Sequence, residues 1–374
     1  MLRRYGRTDR RDRSGPPRNA TPTRAIVTTK TPLDYKSAGV DISAKEQALK
    51  AARSDIRSTF TPGVLGDVGL FGGLFDAARV GCSDHVLVAS ADGVGTKIEV
   101  ARRARRYDTL GHDIVNHCIN DILVQGARPL FFLDYVAAGR FEPSVFAELI
   151  RGLAAACRAH GIALLGGETA EMPGTYKDGD FDLAGFIVGA VERQRILDGS
   201  RIRPGQVLLG LGSSGLHTNG YSLARKVLFE ALGLDVDARP AALGGRSVGE
   251  ALLEPHRAYL DALWPLLQRD RIAALVHITG GGIPGNVPRV LGAQFDALID
   301  RRTWEVPALF RLIVEGGNVA RDEAYRVFNM GLGMVLFVEA AEAAAVRADL
   351  AARGHASWEL GRVEAGSGQV RYLG

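Results

Sequence analysis

Cysteine is scarce in this chain. Cys82, Cys118 and Cys157 form an odd count with no C-x-x-C pair among 374 residues. That pattern argues against a disulfide framework or a cysteine zinc site and fits buried, reduced thiols in a cytoplasmic protein. Aromatic residues are few, at 7%, which speaks against a platform for stacking single-stranded nucleic acid. No apolar run reaches the roughly 18 residues of a membrane span, because Asp134 interrupts the best stretch, Pro129–Ala138. The phosphate-binding pattern G-x-x-x-x-G-K-[ST] is missing. Nucleic acid and membrane are therefore not expected partners.

Charge is unevenly placed. Residues 1–31 hold eight Arg and Lys30 against Asp9 and Asp12, a net +7, so the rest of a chain whose total is +4 stands at −3. The stretch 1–31 is rich in Arg, Pro and Thr and poor in apolar residues, so it reads as a disordered basic tail. It lacks the apolar segment of a secretory signal, and a plain extension suits it better than an organelle-targeting peptide. The length exceeds what one core usually serves. A polar stretch with Gly199, Pro204 and Gly205 marks a boundary. Two domains are expected, 32–198 and 199–374.

Strand and helix patterns alternate, which predicts a layered α/β or α+β fold. Helices are expected from Ser43, where Ser43 and Glu46 form a capping-box pattern, and over 111–125, 143–160, 222–232, 254–268, 286–291 and 342–353. Strands are expected over 86–90, 130–136, 162–165, 183–191, 207–211, 274–278, 329–338 and 358–363.

Acidic residues sit beside glycines in three places: Asp92-Gly93-Val94-Gly95-Thr96-Lys97, Asn120-Asp121, and Gly166–Gly174 around Glu168. Glycine lets backbone approach a ligand closely, and Mg²⁺ takes hard oxygen ligands from one or two carboxylates plus phosphates. That combination predicts an ATP-using enzyme. On the helix over 111–125, Asp113, Asn116, His117, Asn120 and Asp121 share one face. Short Asn and Asp are poor helix formers, so the stripe reads as ligand-facing rather than merely solvated. Gly210–Gly215 and Gly280–Gly285 both match G-x-G-x-x-G. The loop after the first runs on through His217, and Pro284 interrupts the second, so neither is a dinucleotide fold. Each still presents free N–H groups to an anion. His217 lies in a polar loop, where ligand contact or proton transfer weighs against a structural role.

These residues carry a resemblance. Tyr35–Ile42, the Asp92–Lys97 loop, Asn120-Asp121, Pro129–Tyr135 (PLFFLDY), Gly166–Gly174 (GGETAEMPG), Gly212–Ser222 (GSSGLHTNGYS), Thr279–Gly282 and Asn329–Met334 resemble the phosphoribosylformylglycinamidine cyclo-ligase (aminoimidazole ribonucleotide synthetase) family. The likeness runs from about Tyr35 to about Val363. The glycine pattern of Gly66–Gly73 and the segment Gly282–Asn286 depart from the commonest family form.

The resemblance implies ATP-dependent cyclisation of formylglycinamidine ribonucleotide to aminoimidazole ribonucleotide, with ADP and phosphate released, in purine biosynthesis. Phosphorylating the formamide oxygen would make it a leaving group, and the amidine nitrogen would then close the ring. It further implies Asp92, Asp121 and Glu168 around Mg²⁺, with a monovalent cation such as K⁺ compatible. Asp92, Gly93, Gly95, Thr96, Lys97 and Asn120 would meet ATP, and Lys97, Asp121 and His217 would be catalytic. His217, Asn219, Thr279, Gly280 and Gly281 would face the substrate. A cytoplasmic homodimer is implied, with N-terminal domains pairing strands into a shared barrel and a C-terminal α/β sandwich. The alternatives are a small-molecule kinase of the same superfamily and a non-catalytic nucleotide-binding relative.

Overall fold

Alternation along four strands builds the first sheet. In the computed structural model, which describes residues 42–65, 75–80 and 84–373, these are β1 (His85–Gly93), β2 (Arg128–Ala138), β3 (Ala163–Glu171) and β4 (Phe181–Glu192). The tail 1–31, the Tyr35–Asp41 motif, the Gly66–Gly73 stretch, Cys82 and the side chains of Ser43 and Glu46 lie outside the described residues. The strand order is β1-β4-β2-β3, antiparallel except for the β2/β3 pair.

One face of this sheet is dry. Val88, Phe132, Val136, Leu183 and Ile187 point into it and are buried. Helices α1 (Ile42–Arg57), α2 (Lys97–Ala104), α3 (Asp108–Leu123) and α4 (Pro143–Ala159) belong to this domain. α3 and α4 touch backbone to backbone because Gly111 and Gly152 meet there; a Cβ at either would collide with the other helix's main chain. The other face is open, with Leu87 at 61% and Phe186 at 43% exposure.

Register overturns one expectation. The Glu168 segment is no loop: β3 runs through it to Glu171. Glu168 pairs with Tyr135 and Gly167 with Asp134, so Glu168 stands on the open face, opposite to Asp92. Period-2 alternation separates them, whatever their chemistry.

The second sheet has strands β5 (Val207–Gly212), β6 (Ala274–His277), β7 (Phe295–Asp300), β8 (Leu332–Val338), β9 (Ser357–Ala365) and β10 (Val370–Leu373). Their order is β10-β7-β9-β5-β8-β6, parallel only at β10/β7. Every residue of β5, β6 and β8 is buried, so these strands are covered on both faces. Helices α5 (Tyr221–Arg225), α6 (Val248–Leu252), α7 (Leu260–Gln268), α8 (Gly282–Asn286), α9 (Pro288–Leu291), α10 (Ala308–Gly316), α11 (Arg321–Val327) and α12 (Ala343–Ala352) complete the domain. α5 widens into a π-helical turn over Lys226–Ala231. Among the described residues, no helix is long and apolar enough to cross a membrane.

Two further expectations are corrected. The helix expected over 254–268 begins only at Leu260. Backbone groups of the preceding residues bond to the first domain instead, and a peptide group used that way is lost to the helix. The helix expected over 286–291 is two short ones beginning at Gly282. Strands β7 and β10 and helices α2, α6, α10 and α11 were not anticipated; all but the nine-residue α10 span eight residues or fewer, too few to show an apolar period.

Candidate active site at the domain junction

The Asp92 loop leaves β1 and turns at Gly95, whose φ of 57° favours glycine. Asp92 Oδ1 accepts from the Gly93 N–H at 2.7 Å. Gly95 and Thr96 are exposed, and the Thr96 hydroxyl lies 3.1 Å from that of Ser222. The Asp92 loop thus meets the Gly212–Ser222 loop of the second domain.

Lys97 turns the other way. It is fully buried, and its ammonium donates to Asp113 Oδ1 at 2.8 Å, to Glu254 O at 2.8 Å and to His217 O at 3.3 Å. An ammonium has three donors, so the expected phosphate contact is not the one it makes here. Burial pushes the Lys97 pKa down and that of Asp113 up, each opposed by the other's charge.

The polar stripe of α3 divides. Asp113 Oδ1 accepts from His256 N at 2.7 Å, and Asn116 Nδ2 donates to His256 O at 2.6 Å. Asn120 donates to Arg257 O at 2.8 Å and accepts from Tyr259 N at 3.0 Å. These three side chains clamp the irregular segment before α7 and are spent on docking the domains. Asn120, expected at ATP, is fully buried by this work.

His117 and Asp121 face a different space. With Ser90, Asp92, His277 and Thr279 they line a cleft of about 630 Å³ between the domains. His117 Nε2 lies 2.6 Å from Asp92 Oδ2 and 3.4 Å from Asp121 Oδ2. His277 Nδ1 lies 2.8 Å from Asp121 Oδ1, and the Ser90 hydroxyl donates to Asp121 Oδ2 at 3.2 Å. Burial alone would raise both carboxyl pKa values. The neighbouring imidazoles outweigh it, His117 for Asp92 and His117 with His277 for Asp121, and hold both below the usual carboxylate range. Burial disfavours charge on His117, but Asp121 and Asp92 prevail and raise it to about 9.

His217 is nearly inaccessible, at 1% exposure, which corrects the expectation of an open loop histidine. Its ring stacks on His256 at 3.9 Å, and Nε2 receives the Ser214 N–H at 3.3 Å. Burial first, then nearby cations, drive its pKa far below the ordinary value, so a neutral ring is favoured. Asn219 is half-buried and lies beside Gly280. Thr279 donates to Asn286 Oδ1 at 3.3 Å on the cleft wall, and Gly281 turns there with a φ of 95°. Asp92, Asp121 and Thr279 therefore share the cleft. Glu168 does not join them, and His217 and Lys97 lie behind its wall.

Two histidines of this cluster, His256 and His277, escaped sequence reasoning. His277 does carry a signal, for it ends a strand just before a glycine-rich turn, as Asp92 does. His256 carried none, because its neighbours read as helix.

Both domains match known family models: AIR synthase related protein, N-terminal domain, over residues 75–191, and its C-terminal domain over residues 203–373. Among curated relatives, phosphoribosylformylglycinamidine cyclo-ligase of Anaeromyxobacter sp. (strain Fw109-5) is 49% identical over 90% of this chain and 98% of its own length. That of Myxococcus xanthus (strain DK1622) is 50% identical over 90% and 97%. Among solved structures, thiamine-monophosphate kinase from Stenotrophomonas maltophilia K279a aligns with TM-score 0.64 at 19% identity, over 87% of this chain and 96% of that one. The hydrogenase maturation protein HypE in complex with ATP aligns with TM-score 0.62 at 18% identity, over 89% and 92%. At such identities these two likenesses concern the fold alone.

Proposed function

This chain belongs to the phosphoribosylformylglycinamidine cyclo-ligase family of AIR synthase related proteins, and from that premise we propose that it closes the imidazole ring of aminoimidazole ribonucleotide at the expense of ATP. The observation that carries this reading is near-full-length kinship at about half identity, joined to a cleft in which both domains contribute polar loops. Formylglycinamidine ribonucleotide offers a formamide oxygen, a poor leaving group. Transfer of the γ-phosphoryl group to that oxygen releases ADP. The amidine nitrogen then attacks the activated carbon, the C–O bond breaks, and phosphate departs as the ring closes.

The residues divide that task. Asp92 and Asp121, ionised and fronting the cleft, are the carboxylates for Mg²⁺ on the ATP phosphates, a role that one or two carboxylates commonly fill. Bound Mg²⁺ supplies charge neutralisation on the transferring phosphoryl group. Half-buried Gly93 and exposed Gly95 and Thr96 lie on the loop where phosphate oxygens would approach. Thr279 lines the same cleft, and with the adjoining Gly280, Gly281 and Asn219 it suits the ribonucleotide. Lys97, Asn120 and His217 act as positioning residues, holding the two loops in register so that both reactants meet in line. Neutral His217 is unsuited to donate a proton while its ring stays buried.

The open face of the first sheet, with Leu87, Phe186 and half-buried Phe131, Leu133 and Tyr135, supports a homodimer. An apolar sheet face of that kind seeks a partner. A cytoplasmic location suits both the reaction and the reduced Cys118 and Cys157.

Purified protein supplied with formylglycinamidine ribonucleotide, ATP and Mg²⁺ tests the proposal, with Asp121→Asn alongside. Aminoimidazole ribonucleotide formed mole for mole with ADP and phosphate, and lost in the variant, is the expected result. ADP formed without free phosphate or cyclised product would instead identify a kinase.

A further inference from the structure

A second cavity, of about 750 Å³, lies around the last turns of α2. The end of β2, the first turn of α4 and the turn before β4 complete its wall, and it shares no lining residue with the interdomain cleft. Its size is that of a small-ligand pocket. We propose that this cavity binds a purine nucleoside monophosphate, with guanine as the matching base. Such a site is independent of the ring-closing chemistry.

Three observations carry it, and the cations come first. Arg102, Arg103, Arg105 and Arg140 all line the cavity. Arg102 is spent, for it pairs with Glu99 at 3.1 Å and with Asp180 at 2.9 Å. Arg103 lays its guanidinium over the Phe229 ring at 4.4 Å, a contact that leaves its charge in place. Exposed Arg105 and Arg140 form no side-chain hydrogen bond or ion pair among the described residues. Guanidinium groups gathered on one cavity without carboxylate partners repel one another. A phosphate accepting from their planar forks removes that cost.

Next comes the wall. Tyr107 and Phe181 meet edge-on with ring centroids 5.9 Å apart, and Phe141 meets Phe146 likewise at 5.6 Å. All four rings line the cavity, together with Val136 and Ala138. A flat apolar surface of this kind stacks a heterocycle, and inorganic phosphate has no use for it.

Finally, two carboxylates on the lining have capacity to spare. Glu148 Oε2 accepts from the Tyr107 N–H at 3.1 Å, and Glu142 Oε1 accepts from the Ser144 hydroxyl at 3.1 Å. The other oxygen of each accepts nothing among the described residues. An ionised carboxylate only accepts, so these oxygens call for a donor edge. Guanine offers adjacent N1–H and N2–H₂ donors that one carboxylate takes together, whereas adenine offers a single amino group. Arg105 and Arg140 thus select the phosphate, and Glu142 and Glu148 select the base.

The test is isothermal titration calorimetry of the full-length protein with guanosine monophosphate, alone and with a saturating non-hydrolysable ATP analogue and Mg²⁺. One equivalent bound under both conditions is expected, with AMP and inorganic phosphate each weaker by roughly 10-fold or more. Arg105→Glu and Arg140→Glu, both at exposed positions and checked for folding by thermal melting, should each weaken binding by roughly 10-fold or more. Absence of binding, its loss when the ATP analogue fills the cleft, equal affinity for inorganic phosphate, or unchanged affinity in the folded variants would overturn the proposal. AMP bound as tightly as guanosine monophosphate would overturn the choice of base. Because heat of binding is read without turnover, failure of ring closure in the product assay and failure here remain separate results.

Discussion

Two rows of one helix do different work. On α3, Asp113, Asn116 and Asn120 clamp the second domain's irregular segment, while His117 and Asp121 face the cleft. At about 100° per residue, the first three fall within about 60° of arc, and the other two lie about 40–80° further round. That small rotation separates a dry docking surface from a wet site. A polar stripe on a helix is therefore not one functional unit. Its residues sort by what packs against each row, and the packing comes from another domain.

The comparison can be broken most severely on the cleft row. Asp121→Asn is expected to keep the fold and lower turnover by roughly 100-fold or more, since the carboxylate acts on developing phosphate charge; steady-state product formation measures it. Against the docking row, Lys97→Met removes the cation beside buried Asp113 and leaves that carboxyl only the His256 N–H as a partner. That should cost about 3–5 kcal/mol in denaturant unfolding. Adding Asp113→Leu should recover most of the loss. A stable but inactive double variant would return Lys97 to the phosphates.

A smaller effect is expected at Asn120→Ala. It strands Arg257 O and Tyr259 N without their partner, so a loss of about 1–3 kcal/mol should appear in unfolding, with substrate KM moved more than kcat. If activity falls like that of Asp121→Asn, the division into rows is wrong.

Asp134 sharpens the electrostatic side. It lies on the same dry face of the sheet as Asp92 but has no cation beside it, and burial raises its pKa from 3.8 to about 7. Between those values the folded state holds a proton that the unfolded state has lost, so stability falls as pH rises from about 4 to about 7. Asp134→Asn should raise Tm by about 2–4 °C at pH 8 and by less at pH 5. Equal gains at both pH values would contradict a neutral Asp134.

Much of this was legible beforehand. Asp92 and Asp121 could be read because a carboxylate at a strand end beside glycines, or on an Asn/Asp stripe, defies ordinary propensity. The strands β1, β2, β4, β5, β6, β8 and β9 were legible because each carries an apolar stretch bounded by polar or turn-forming residues. Glu168 was misjudged because glycines beside it suggested a loop, whereas pairing with β2 kept the strand going to Glu171. His256 was hidden inside an apparent helix that the first domain's side chains unwind.

From the sequence alone came the family, the two-layered α/β character and the polar residue types, since composition, period and motif are local properties of the chain. Tertiary structure alone decided which of those residues share a cavity. Lys97 turned inward, Glu168 fell on the far face, and His277 came beside Asp121, 156 positions away. Those outcomes depend on strand register and on backbone groups seeking partners across a domain junction, and neither is written in any short window of sequence.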